Sequence, residues 1–371
     1  MAHLQVFQMP SLGSLKRILL SVCLVCILLL FVAYVQRDVQ SHLFLFRQPI
    51  IPVDPLVQNT TPFYFQFCPD ILTNSVGPIK VFRDPLSWEQ LRIKYVDTTS
   101  DNRSLSFSSV RPSTGENSSL KSNSLGLWSP IECRPRQTLA MIIPFRQRDE
   151  QLRVFLNHMH AFLRHQQLLY MIFVVEQLGT THFNRAALLN IGFLESRRVA
   201  NFDCFIFHDV DLLPQDDRIP YRCGDQPVHL SAALDLFQYK LLYATLFGGA
   251  VAMNRTQFER IRGFSNAYFG WGGEDDDLYQ RVVHHGYKVF RYPNDIARYT
   301  MLRHNHEDLN QPNPVRHKLL RQSTKRFAHD GYPETEYTVV SAGPIHGGLY
   351  YHISVELMEK NILAKLNITS Q

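Results

Sequence analysis

Long runs of one charge are missing from this chain. Across 371 residues the net charge is only +5, and basic residues are scattered among acidic ones, which makes nucleic acid a poor candidate for a partner. Cysteine is sparse. Of six, Cys23 and Cys26 lie in an apolar run near the N-terminus, and none of the other four is spaced as Cys-x-x-Cys, so a zinc site is not expected. Internal repeats are absent too, which argues against a solenoid or propeller. Within these exclusions the length suits one large α/β domain with appendages, or two medium ones, with a sizeable buried core.

What is present begins with the apolar run at residues 18–35, free of charge and preceded by Lys16 and Arg17. It is long enough to span a bilayer. A cleavable signal peptide is the rival reading, but it would be shorter and end in small residues, which Val32-Ala33-Tyr34-Val35-Gln36 supplies poorly. An uncleaved anchor is expected, with 1–17 held in the cytosol by the two basic residues and everything after Gln36 in a lumen. Sequons at Asn59, Asn102, Asn117, Asn254 and Asn367 suit that side. So do Cys68, Cys133, Cys204 and Cys223, which allow three pairings.

Residues 36–65, with Pro49, Pro52, Pro55 and Pro62, read as an extended stem before a domain at 66–371. The stretch 97–130, rich in Ser, Thr and Asn, reads as a long surface loop. From Thr138 strand and helix alternate. An apolar run at 139–143, stopped by Pro144, is followed by Leu152, Phe155, Leu156, Met159, Phe162 and Leu163 at helical spacing. Strands are then expected at 169–175 and 202–207 with a helix at 184–196 between them. That alternation predicts a mostly parallel sheet with helices on both faces, and ligands beyond the carboxyl ends of its strands.

Two segments stand at such ends, Pro144-Phe145-Arg146-Gln147-Arg148 and His208-Asp209-Val210-Asp211. An Asp-x-Asp unit offers hard oxygen ligands to a divalent cation that bridges a nucleoside diphosphate, although such a pair is also common in ordinary loops. A stronger signal is Phe269-Gly270-Trp271-Gly272-Gly273-Glu274-Asp275-Asp276-Asp277. Acidic residues in a first helical turn favour the helix by about 0.3–1 kcal/mol each, which accounts for one or two of them. It accounts neither for four adjacent like charges nor for a Trp among glycines. Glycines permit unusual backbone angles, and an indole face suits a sugar ring; a binding turn with a carboxylate base explains both. His304, in Met301-Leu302-Arg303-His304, is either an ordinary surface histidine or a partner to Asp211 on a transition metal.

These motifs, together with Phe183-Asn184-Arg185-Ala186 and Phe247-Gly248-Gly249, stand in the order and spacing of the β1,4-galactosyltransferases. From Cys68 onward the chain resembles that family, most closely its β1,4-N-acetylgalactosaminyltransferase members. The resemblance implies a GT-A type α/β fold behind one transmembrane helix and a stem. It also implies a Golgi membrane location as a single-pass type II protein, and inverting transfer to O4 of a terminal β-linked GlcNAc on glycoproteins or glycolipids. Asp211, Met301 and His304 would hold Mn²⁺; a thioether is a soft ligand for so hard an ion, and Met301 rests on the resemblance alone. Asp275 would be the base. Pro144, Phe145, Arg146, Arg148, Phe183, Arg185, Asp209, Val210, Leu246 and Trp271 would meet the UDP-sugar. Phe237, Tyr243, Gly249, Gly272, Glu274, Asp276 and Arg316 would line the sugar and acceptor sites. Trp271 and the segment 302–322 look like two loops that close over the donor. The implied disulfides are Cys68–Cys133 and Cys204–Cys223.

Three positions depart from the vertebrate galactosyltransferase pattern: Leu236 replaces a lysine that meets the diphosphate, Phe269 a tryptophan and Leu246 a tyrosine. The tyrosine belongs to members that transfer galactose; members that transfer GalNAc carry an aliphatic residue. Leucine removes a ring and a hydroxyl beside the sugar's C2, making room for an N-acetyl group. UDP-GalNAc is therefore the expected donor, with UDP-Gal the alternative. An anchored carbohydrate-binding protein without turnover, and a lumenal nucleotide-sugar hydrolase, are the readings from other classes.

Overall fold

Strand β1, Thr138–Phe145, is buried on both faces, and its side chains divide by parity. Leu139, Met141, Ile143 and Phe145 enter one apolar cluster while Ala140 and Ile142 enter another, as the period of two in a strand requires. After a short helix α1, Trp88–Tyr95, helix α2, Asp149–His165, covers the first face with Leu152, Phe155, Leu156 and Met159. On the second face lies α3, Arg185–Val199. A Cβ at Gly192 would stand 2.2 Å from Ile142 Cγ2; only glycine lets the α3 backbone approach so closely. The computed structural model describes residues 66–69, 75–97, 126–303 and 310–368. The expected anchor, the stem, most of 97–130 and His304 lie outside them.

Strands β2, Leu169–Gln177, and β3, Cys204–His208, flank β1 in parallel, so the strand and helix order expected at 138–208 is the one observed. Pro144 does not stop β1. It continues in register with Val175 of β2, whereas the ladder to β3 ends at Ile142, so that side loses no bond to a residue without an N–H.

Beyond this core the expectation of a mostly parallel sheet is corrected to a mixed one. Among the described residues an eight-stranded sheet runs β10-β11-β2-β1-β3-β7-β5-β8, where β5 is Val228–His229, β7 Ala250–Asn254, β8 Phe290–Arg291, β10 Tyr337–Ile345 and β11 Tyr350–Leu357. β7 is antiparallel to β3 and β5, and β10 to β11. Of these strands only β5 and β8 are too short to carry a period; the direction of β7 and β10 depends on the partner each meets, which no period within the strand reports. A second sheet orders β4 (Leu212–Pro214), β9 (Arg298–Met301) and β6 (Ala233–Leu234). Both disulfides have the implied pairing, Cys68–Cys133 and Cys204–Cys223. Among the described residues no helix is long and apolar enough to cross a membrane.

Beyond the short helix α4, Arg255–Arg260, helix α5, Glu274–His284, is fixed from below by four buried charges. Asp277 accepts from Arg281 Nε at 2.6 Å and from the Tyr268 hydroxyl at 3.1 Å. Arg281 also donates to the Asp330 carbonyl at 2.8 Å and stands 3.3 Å from its carboxylate, and Arg326 lies 3.4 Å from both aspartates. The Asp277 and Arg281 side chains are both 0% exposed. Removing one member of such a set leaves a buried charge uncompensated. Arg281→Met is expected to lower the unfolding free energy by about 3–5 kcal/mol in a urea titration. A curve superimposable on the parent's would exclude the network as the anchor of α5.

Candidate active site

The segments that follow β1 and β3 turn toward one another at the carboxyl edge of the sheet. Gln147 takes φ +50, and the arginines on either side reach different partners. Arg146 donates to the Thr181 carbonyl at 2.9 Å and its guanidinium lies 5.0 Å from the Phe183 ring. Arg148 stands 3.2 Å from Asp211 Oδ2. Asn184 caps α3 by accepting from the Ala187 amide at 2.9 Å, which presents Arg185 on the first turn. Arg185 is central. It donates to Asp209 Oδ1 at 2.5 Å and to the Gly249 carbonyl at 3.3 Å, and stands 3.7 Å from Glu274 Oε1. One guanidinium therefore joins the Asp-x-Asp unit, the double glycine and the acidic turn. Val210 and Phe145, beside them in the chain, pack against the core, Phe145 as the last inward residue of β1 after Pro144.

Pairing of β4 with β9 sets Leu212 opposite Met301, and the Leu302 amide donates to the Asp211 carbonyl at 2.7 Å. Asp211, 4% exposed, thus shares a corner with Met301, which brings two of the three expected ligands to adjacent places in the fold. His304 lies outside the described residues, and among them no cluster of three His, Cys, Asp or Glu side chains could hold a metal. No sequence pattern marks Asp235, whose Oδ1 accepts from the Met301 amide at 3.0 Å. Nor does any mark Gln177, which accepts from the Asn184 amide at 2.8 Å. Both act on backbone, which no side-chain pattern reports.

Gly270, Gly272 and Gly273 take φ of +85, +102 and +93, angles that favour glycine. Between them Trp271, 53% exposed, donates its amide to the Gln311 carbonyl and accepts from the Asn313 amide, each at 2.9 Å. The Arg316 guanidinium lies 5.9 Å from the indole. The acidic turn that follows divides: Asp277 faces the buried network, and the three before it face the site. Asp275 accepts from the Asp276 amide at 3.0 Å. A Cβ at Gly248 would be 2.7 Å from Asp275 Oδ2. Burial raises the Asp275 pKa, and the charge of Asp276 raises it further. Tyr243, 42% exposed, donates its hydroxyl to Asp276. Phe237 and Leu246 are half-buried, whereas Leu236 is 57% exposed.

Glu274 is the least satisfied group of the site. Its Oε2 is buried and has no hydrogen-bond partner among the described residues. Burial first, and then the charge of Asp275, push its pKa up to about 7. A buried carboxylate oxygen without a partner, on a group whose other oxygen faces Arg185, is placed to exchange hydrogen bonds with a ligand hydroxyl.

Two family models match the chain. One is described as the N-terminal region of glycosyl transferase group 7, over residues 94–224, and the other as the N-terminal domain of galactosyltransferase, over 228–305. Mouse β-1,4-galactosyltransferase 2 is 46% identical over 235 residues, which is 62% of this chain and 63% of that protein. This chain therefore spans somewhat less than two thirds of the length of that relative. Rat β-1,4-galactosyltransferase 4 is 46% identical over 233 residues, covering 63% of this chain and 67% of the rat protein. Among solved structures, the catalytic domain of Drosophila β1,4-galactosyltransferase 7 with xylobiose matches at a TM-score of 0.52 and 30% identity, over 59% of this chain and 94% of that one. A variant of it, solved with manganese, UDP-Gal and xylobiose, matches over the same shares at a TM-score of 0.52 and 29% identity.

The raised Glu274 pKa has a sign that can be checked. An unfolded glutamate titrates near about 4.3 and the folded one near about 7, so folding favours the neutral form. The stability it contributes is complete below about pH 4 and lost as pH rises through about 7. Glu274→Gln is expected to leave the melting temperature unchanged near pH 4 and to raise it at about pH 8. Equal shifts at both would remove the basis for a neutral Glu274.

Proposed function

Since the chain belongs to the β1,4-galactosyltransferase family, we propose that it is an inverting glycosyltransferase of the Golgi lumen. In this reading it moves GalNAc from UDP-GalNAc to O4 of a terminal β-linked GlcNAc. One observation carries it: Arg185 joins Asp209, beside the metal corner, to Glu274, beside the base. Donor and acceptor motifs distant in sequence thereby become one site.

Asp275 takes the proton of the acceptor O4 hydroxyl as that oxygen attacks the anomeric carbon. The new C1–O4 bond forms as the bond from C1 to the diphosphate oxygen breaks on the opposite face. UDP departs with that electron pair, and the configuration inverts. Arg146 and Arg148 meet the diphosphate, and Tyr243 orients Asp276 toward the acceptor. Trp271, resting on 311–313, covers the reacting atoms and keeps water, the competing acceptor, away from them. Asp211, Met301 and His304 would hold Mn²⁺, which when bound offsets the negative charge that develops on the leaving diphosphate. The two disulfides support a lumenal setting, reached in this reading through the anchor at 18–35.

Leu246 supports GalNAc as the donor sugar, because its apolar side chain leaves room beside C2 and offers a surface to the acetamido methyl. The names of the relatives, and the UDP-Gal bound to the Drosophila variant, favour UDP-Gal as the second reading. A soluble form beginning near Phe65, given Mn²⁺ and a GlcNAc-terminated acceptor, is expected to prefer UDP-GalNAc, and Leu246→Tyr to reverse the preference. Preference for UDP-Gal in the parent would keep the reaction and overturn the donor; no transfer from either would favour a carbohydrate-binding protein. Asp275 works only when ionised, and its pKa is raised. The acidic limb of the kcat/KM profile is therefore expected above the ordinary carboxylate range of about 4. A limb at or below about 4 would exclude Asp275 as the base.

A further inference from the structure

Leu246 lies in a segment, 241–249, with no regular secondary structure ahead of β7, yet its backbone is held. Strand β8 pairs in parallel with β5 and sets Arg291 opposite His229. Arg291 Nε lies 3.1 Å from His229 Nδ1. Its terminal Nη2 donates to the Ala244 carbonyl at 3.0 Å and to the Leu246 carbonyl at 2.7 Å. Both N–H bonds of one nitrogen thus grip peptide groups two residues apart.

The rest of the surroundings make that grip rigid. His229 is 1% exposed, and burial, aided by the charge of Arg291, lowers its pKa to about 3. The ring is therefore neutral, with Nδ1 free to accept from the guanidinium and its proton on Nε2. Phe247 is fully buried and meets the His229 ring edge-on at 5.9 Å between centroids. One residue further on, Gly248 lies against Asp275. The clamp therefore fixes the chain between the residue that faces the donor and the glycine that backs the base. A lysine would present one compact ammonium where the guanidinium presents a planar fork, so the site is specific for arginine.

We propose that Arg291 is a positioning residue for donor selection: by holding the carbonyls of Ala244 and Leu246 it sets where the Leu246 side chain stands against the C2 substituent of the donor sugar. The inference rests on the reading of Leu246 given above. Without the clamp the segment relaxes, and leucine ceases to distinguish an acetamido group from a hydroxyl.

The test is the ratio of kcat/KM for UDP-GalNAc to that for UDP-Gal, measured in the parent, Arg291→Gln, Arg291→Lys, Leu246→Gly, and Leu246→Gly combined with each Arg291 change. Arg291→Lys keeps the positive charge and guards against a Gln variant that fails to fold. Either Arg291 change is expected to move the ratio about tenfold toward unity, and to move it no further once Leu246 is glycine, because residues acting through one another are not additive. A merely structural role would lower both rates together and leave the ratio alone, which would overturn the proposal. So would a shift of equal size in the Leu246→Gly background, since Arg291 would then act elsewhere. If Leu246→Gly itself leaves the parent's ratio intact, the donor reading of Leu246 fails, and the role given to Arg291 fails with it.

Discussion

The pairing of Asp277 and Arg281 with Asp330 and Arg326 is the constraint from which the site follows. A helix advances about 100° per residue, so burying Asp277 and Arg281 on one face of α5 decides where Glu274, Asp275 and Asp276 point. The partners of that network come from the chain after Arg316, so the same charges hold the segment whose start meets Trp271. Two positive and two negative groups cancel, and backbone and hydroxyl donors from Asn266, Ser265 and Tyr268 complete the aspartates. Burial of charge is tolerable only under such completeness.

Against that satisfied base, the face toward the site is left incomplete. Glu274 and Asp275 crowd one another, one carboxylate oxygen lacks a partner, and the counterweight is a single arginine, Arg185. The fold thus separates its acids by task. Burial raises the pKa of Glu274, Asp275 and Asp277 alike, but Asp277 is fully paired, whereas at Glu274 and Asp275 a neighbouring carboxylate adds to the opposition and one oxygen, on Glu274, is left without a partner. Crowding of this kind is a local expense that only the rigid helix beneath it makes sustainable.

Much of this was legible beforehand, for reasons that differ by region. The alternation from Thr138 to His208 could be read because each strand is long enough to show a run and each helix long enough to show a period. The strands Val228–His229 and Phe290–Arg291 are too short to show either, and nothing within Ala250–Asn254 or Tyr337–Ile345 announces that it runs antiparallel to its neighbour, because direction depends on the partner a strand meets. At the site, adjacency of four acids marked the turn, but sequence could not say that the fourth faces inward. That depends on Arg281, one turn along, and on Asp330, far along the chain. Phe145 illustrates the converse. Its place in a motif speaks only of ligand, and parity along β1 adds that its side chain also packs in the core. Asp235, Gln177 and Arg291 were silent because each acts on a peptide group, and every residue offers the same peptide group.

That last property has a consequence at Trp271. Its tie to 311–313 is made by carbonyl and amide groups on either side of Pro312, whose missing N–H is not among those used. The contact is blind to side-chain identity. Over evolutionary time the exposed side chain at Gln311 can therefore change without loosening the tie, whereas Asn313 is buried and its Oδ1 accepts from the Val315 amide. The grip on Trp271 and the surface beside it are thus separately inheritable at position 311, and one scaffold can change that surface while the backbone tie endures.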